Sequence, residues 1–116
     1  VYKVETVGME QGYQISREIW ESGERVDGIF YSSDILAIGG LQYFHEQGVE
    51  VPKEVSVIGI DDIPLSARVT PALTTVRQDY LKLGSLAAGS IIKMMRGDQE
   101  KRTYILSMEL VERETV

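Results

Sequence analysis

Two neighbouring carboxylates, Asp61 and Asp62, close the apolar run Glu54 to Ile60 (EVSVIGI). A carboxylate accepts hydrogen bonds from sugar hydroxyls or from the N–H groups of a base. In an open α/β sheet, small ligands lie beyond the carboxyl ends of the strands, where these two groups would meet one. Successive residues of an extended chain face opposite ways, so one of the pair, Asp61, is expected to point at the ligand. The plain alternative is a turn that happens to be acidic. A second polar group, Ser32-Ser33-Asp34, follows another apolar run, Val26 to Tyr31 (VDGIFY). All three side chains suit a helix N-terminus, and Asp34 also places negative charge where the helix dipole favours it. Asp34 is therefore read as a cap, which leaves Ser33 to face the crevice. Phe30 and Tyr31 could offer an aromatic face to a ring, although aromatics in strands more often lie in the core.

Other chemistries find little support. His45 is the only histidine, and with no cysteine in the chain it has no neighbour for a metal site. Serines occur in SS and LS contexts and never as G-x-S-x-G, and Gly39-Gly40 follows a helix start where a dinucleotide loop would precede it. No nucleophile, base and oxyanion donor assemble, so catalysis, a metal and a cofactor are not expected. The 116 residues carry 12 basic and 18 acidic side chains, a net charge of −6. An acidic surface argues against nucleic-acid binding by this stretch itself, because phosphates demand a basic face. No apolar run reaches the ~20 residues that span a bilayer, and Val1-Tyr2-Lys3-Val4 does not read as a secretory leader. With no Met at position 1, Val1 to Val4 reads as the end of a strand already under way in a longer protein.

The elements that would position these residues follow from periodicity. Gly12, Ile15, Ser16 and Ile19 form one stripe of a helix over 9–22, with Gly23 at its end. Val26 to Tyr31 reads as a buried strand. A helix from Asp34 to about Gln47 follows, carrying Ala37, Ile38, Leu41 and Phe44 on one face, and Gly48 stops it. Glu54 to Ile60 is the next strand, so strand, helix and strand make a βαβ unit in a parallel sheet. A connection over 61–78, punctuated by Pro64 and Pro71, contains the short β-like piece Leu73 to Val76. Tyr80 to Arg96 is a helix with an apolar stripe of Gly84, Ala87, Ala88, Ile91, Ile92 and Met95. Alternation of Tyr104, Leu106, Met108 and Leu110 with polar residues predicts a half-buried strand.

Four ordered blocks resemble the lactose and galactose repressor (LacI/GalR) family. Residues 29–39 (IFYSSDILAIG) resemble its F-x-x-[NS]-D-x-x-A-x-G segment, and 51–63 (VPKEVSVIGIDDI) its V-P-x-D-[IV]-S-[IV]-x-G-[FY]-D-D stretch. Residues 71–78 (PALTTVRQ) resemble P-x-L-[ST]-[TS]-[IV]-x-Q, and Leu110 to Thr115 resemble the L-x-x-R-x-[ST] ending. The resemblance implies part of a type I periplasmic-binding-protein-like fold, in which two α/β subdomains clasp a small effector. Residues 1–78 would form the C-terminal effector-binding subdomain, and 79–116 the helix and strand that cross to the N-terminal subdomain and return. The helix-turn-helix that binds operator DNA would lie outside this stretch, as would most of the N-terminal subdomain.

By the same resemblance, Asp61 would hydrogen-bond the effector, Ser33 would meet a sugar hydroxyl, Phe30 would line the pocket, and Gln78 would lie near hinge and ligand. Val7 falls where sugar-binding relatives stack a ring, and it departs from that pattern, as does Ile60 in place of Phe or Tyr. Ile38, Gln42, Leu65 and Val69 match positions at the family's dimer contacts. The implied protein is a cytoplasmic, dimeric repressor that responds to a sugar-like or related metabolite. Alternatives are a sugar-binding protein of a transport system and an enzyme on a flavodoxin-like frame. Without the N-terminal subdomain, the helix over 80–96 is expected to fold back locally or dock on another chain.

Overall fold

Alternation within one strand sets the layers. Val55 and Val57 are fully buried, whereas Ile58 and Ile60, pointing the other way, are only half-buried. The computed structural model describes residues 1–98 and 102–116. Its elements are α1 (Met9–Glu21), β1 (Gly28–Phe30), α2 (Asp34–Gln47), β2 (Ser56–Asp61), β3 (Thr74–Arg77), α3 (Tyr80–Met95) and β4 (Glu109–Val111). They form one four-stranded sheet in the order β1-β2-β3-β4. The first three strands are parallel, and β4 returns antiparallel on β3. The expected α/β class and βαβ unit are therefore present.

Helix α2 covers the Val57 face. Leu36, Ala37, Ile38, Leu41, Tyr43 and Phe44 pack there with Tyr31, Val55, Val57 and Leu73. Helix α1 lies on α2 at backbone contact distance. A Cβ built on Gly12 would fall 2.0 Å from the Leu36 carbonyl oxygen, so only glycine permits this approach. Gly48 ends α2 in the left-handed region (φ 71°), which costs glycine little.

Three expectations are corrected. Val1 to Val4 do not join the sheet. The strand expected over 103–110 is reduced to Glu109–Val111. The reason is register: Glu109 pairs with Arg77, the last residue of β3, so the residues before Glu109 run past the end of that strand and have no ladder partner. Helix α3 does not fold back. None of its residues is buried, and Leu81, Ile91, Ile92, Met94 and Met95 are exposed. No helix among the described residues is long and apolar enough to cross a membrane.

Candidate functional site

The carboxyl ends of β1, β2 and β3 share one rim, where Phe30, Asp61 and Gln78 follow one another across adjacent strands. Three hydrogen-bond clusters hold it, and most of their members lie far apart in sequence.

The first cluster centres on Asp34. The helix cap is Ser33: its backbone is extended, and its Oγ accepts from Leu36 N–H at 3.4 Å. Asp34 has no exposed surface. Its Oδ2 accepts from Ile63 N–H (3.0 Å) and from the Ser66 hydroxyl (2.6 Å). Its Oδ1 accepts from the Thr75 hydroxyl at 2.5 Å. The sequence reading of Asp34 as cap and Ser33 as free is thus reversed. Both residue types cap well, and the tertiary donors at 63, 66 and 75 decide between them. Gly59 makes room for the carboxylate, since a Cβ there would lie 2.2 Å from Asp34 Oδ1.

The second cluster holds Asp62. Arg77 Nε donates to Oδ2 at 2.6 Å, and Arg113 Nη2 donates to Oδ1 at 2.5 Å. Burial alone would push this carboxyl up, but the hydrogen bonds and charges of Arg113 and Arg77 prevail and hold it below the usual carboxylate value. Arg113 also donates to the Leu73 carbonyl at 2.7 Å. Two residues on, the buried Thr115 hydroxyl donates to Val57 C=O (2.6 Å) and accepts from Thr74 N–H (2.9 Å). The tail thereby wedges between β2 and β3 just before their pairing begins at Ile58 and Thr74. Asp62 is a structural anchor.

The third cluster is Asp61. Its φ is 126°, and that of Asp62 is 54°, both positive in non-glycine residues. Such backbone costs on the order of 1–3 kcal/mol and persists only where the surroundings over-determine it. Here Arg77 and Arg113 hold Asp62 itself, and Asp34 holds the N–H of the next residue, Ile63. Asp61 Oδ1 accepts from Gln78 Nε2 at 3.3 Å and from the Tyr80 hydroxyl. Gln78 Nε2 also donates to Tyr80 Oη at 3.1 Å. Hydrogen bonding to Asp61 pushes the Tyr80 phenol up to about 12.

Among the residues singled out from sequence, Asp61, Gln78 and Phe30 come together on this rim, and Phe30 is 63% exposed there. Ser33 is buried, with its oxygen engaged as cap. Val7 is exposed in the segment before α1. Of the dimer-contact positions, Gln42 and Leu65 are exposed and Val69 is half-buried. Ile38 is corrected: its side chain is 4% exposed and lies in the core beneath α2. Tyr80 was read only as a helix start, and its adjacency to Gln78-Asp79 was the one available signal. The described residues contain no group of three or more His, Cys, Asp or Glu able to hold a metal.

An open, mostly parallel sheet with acceptors gathered at its strand ends defines a ligand-binding α/β domain. All of residues 1–116 match the periplasmic binding protein-like domain family. The ribose operon repressor of Halalkalibacterium halodurans is 32% identical over 108 residues, 92% of this chain and 33% of the repressor. The HTH-type transcriptional repressor PurR of Vibrio atlanticus is 36% identical over 100 residues, 85% of this chain and 30% of that protein. A putative LacI-family transcriptional regulator from Sanguibacter keddieii superposes with a TM-score of 0.92 at 30% identity, over 99% of this chain and 45% of that one. The lac repressor dimer bound to operator and the anti-inducer ONPF gives 0.86 at 28% identity, over 93% and 38%. The chain belongs to the periplasmic binding protein-like domain family. It spans about a third of the length of the curated relatives it matches. Those relatives are repressors rather than enzymes, in keeping with the lack of an expected catalytic constellation.

Proposed function

We propose that this chain is the effector-binding and dimerisation part of a cytoplasmic, LacI-type DNA-binding repressor that responds to a sugar-like or related metabolite. The observation that carries the reading is Asp61, held at φ 126° at the end of β2, on the strand-end rim that also carries exposed Phe30. Strain concentrated in a carboxylate at a strand end has a purpose if that carboxylate binds something. Phe30 lines the pocket and Gln78 orients Asp61, while Ser33 supports the rim from below as the cap of α2. Residues 1–78 form this half of the clasp, and 79–116 cross to the other half and return, which gives the apolar face of α3 its partner.

Effector binding between the two halves shifts an open–closed equilibrium. Through a two-fold contact made by Gln42, Leu65 and Val69, that shift alters the spacing of two DNA-binding heads, with a coupling of about 1–3 kcal/mol. The heads are helix-turn-helix segments outside this stretch. That relatives matching the chain are repressors favours this reading over a transport protein of the same fold.

Asp61→Asn in the full-length protein is the test. Asparagine tolerates positive φ, so the variant removes charge with little backbone penalty. Loss of a charged hydrogen bond should weaken effector binding by about 10- to 100-fold, with operator binding retained. Affinities for a panel of sugars and nucleobases, read by thermal shift, should show this. Unchanged affinity and response in the variant would remove Asp61 from the site.

A further inference from the structure

Among the described residues, the Asp61 acceptor that would greet a ligand is already occupied. The Tyr80 hydroxyl donates to Asp61 Oδ1, and Gln78 Nε2 bridges both groups. Tyr80 is the first residue of α3, with Asp79 as its cap (Oδ1 accepting from Lys82 N–H at 2.9 Å). Beyond that turn no residue of α3 is buried against the sheet. The contact with Asp61 is thus a side-chain tie between the first turn of α3 and the end of β2. Tyr80 is itself about half exposed, so its hydroxyl can be given up to water.

We propose that Tyr80 is a latch: it stands in for a ligand hydroxyl on Asp61 Oδ1, and a polyhydroxylated effector displaces it, freeing the first turn of α3 to reorient. The idea rests on the function proposed above and adds a positioning residue to it. A phenol donates one hydrogen bond and occupies the place a sugar hydroxyl would take, so the two compete for one acceptor. Exchange of one donor for the other preserves the hydrogen bonding of Asp61, and its only structural consequence is at α3. Asp62 does not take part, because Arg77 and Arg113 already occupy both its oxygens.

The test compares the full-length protein with Tyr80→Phe, which keeps the ring and removes the donor. D-ribose and the other aldopentoses and aldohexoses serve as probes. Without its competitor, Asp61 should bind the responding sugar about 3- to 10-fold more tightly, the range of one net hydrogen bond. In protein labelled with 13C at tyrosine Cζ, the resonance missing from Tyr80→Phe should shift when that sugar is added to wild type. A ring that merely packs would give neither the tighter binding nor the shift. Equal or weaker binding by Tyr80→Phe, or an unmoved Tyr80 resonance at saturation, overturns the latch alone. Absence of binding by either protein refutes exchange with a sugar hydroxyl. Sugar binding that survives Asp61→Asn unchanged refutes the site reading beneath it.

Discussion

Replacing Asp34 with alanine should strongly destabilise the chain although the residue is buried away from the rim. The carboxylate is wholly buried and accepts from Ile63 N–H, Ser66 Oγ and Thr75 Oγ1. Alanine leaves all three donors without it, and Ser66 and Thr75 are themselves fully buried. Each orphaned donor costs about 1–3 kcal/mol. Allowing the two hydroxyls to rotate toward poorer acceptors, the sum is about 3–5 kcal/mol, against a typical domain stability of about 5–15 kcal/mol. Asp34→Asn keeps the shape. Its oxygen can serve Ile63 and Ser66 while its amide faces Thr75, whose hydroxyl can turn and accept. That variant should lose only about 1–2 kcal/mol, one imperfect hydrogen bond. Urea unfolding followed by far-UV circular dichroism, with the slope unchanged, measures both. An alanine variant that loses less than about 1 kcal/mol, or an asparagine variant as damaged as alanine, would refute the hub, since orphaned donors would then cost nothing.

Two other perturbations follow from the geometry. Because Arg113 and Arg77 lower the Asp62 carboxyl in the folded state, their contribution is fully present above the unfolded value of 3.8 and is lost as pH falls toward the lowered one. Stability measured from pH 7 downward should therefore decline below about pH 4, and Asp62→Asn should start lower and flatten that decline. Gly12→Ala should force α1 away from α2, because the new methyl would sit 2.0 Å from the Leu36 carbonyl oxygen. A loss of about 1–3 kcal/mol is expected from such overpacking, and a thermal midpoint equal to wild type would show that the helices are not in backbone contact.

What the sequence disclosed was mainly what is local. Helix α2 runs from Asp34 to Gln47 as its periodicity predicts, and Gly48 stops it. The βαβ unit and Asp61 at a strand end were also readable, because strand ends and apolar runs are short-range signals, whereas Gln78 and the pocket role of Phe30 came from the family resemblance. The choice of cap was not. Ser33 and Asp34 are equally good candidates until donors 29, 32 and 41 residues away select the carboxylate. Arg113 on Asp62, 51 residues apart, left no periodic trace. The strand over 103–110 failed for a related reason: alternation states which residues could pair, while the length of β3 states how many find a partner. Periodicity set Ile38 with Ala37, Leu41 and Phe44 on the buried face, where it lies, and only the family resemblance assigned it to a dimer contact.

The wedge formed by Thr115 has a temporal side. Val57 N–H and C=O and Thr74 N–H find their partners in residue 115, and Thr74 Oγ1 meets Arg113 N–H. During synthesis, the bridged residues of β2 and β3 precede the side chain that joins them by 58 and 41 residues. The contacts of Thr115 form only after residues 113–115 have been made, whereas the β2–β3 ladder itself needs no later residue.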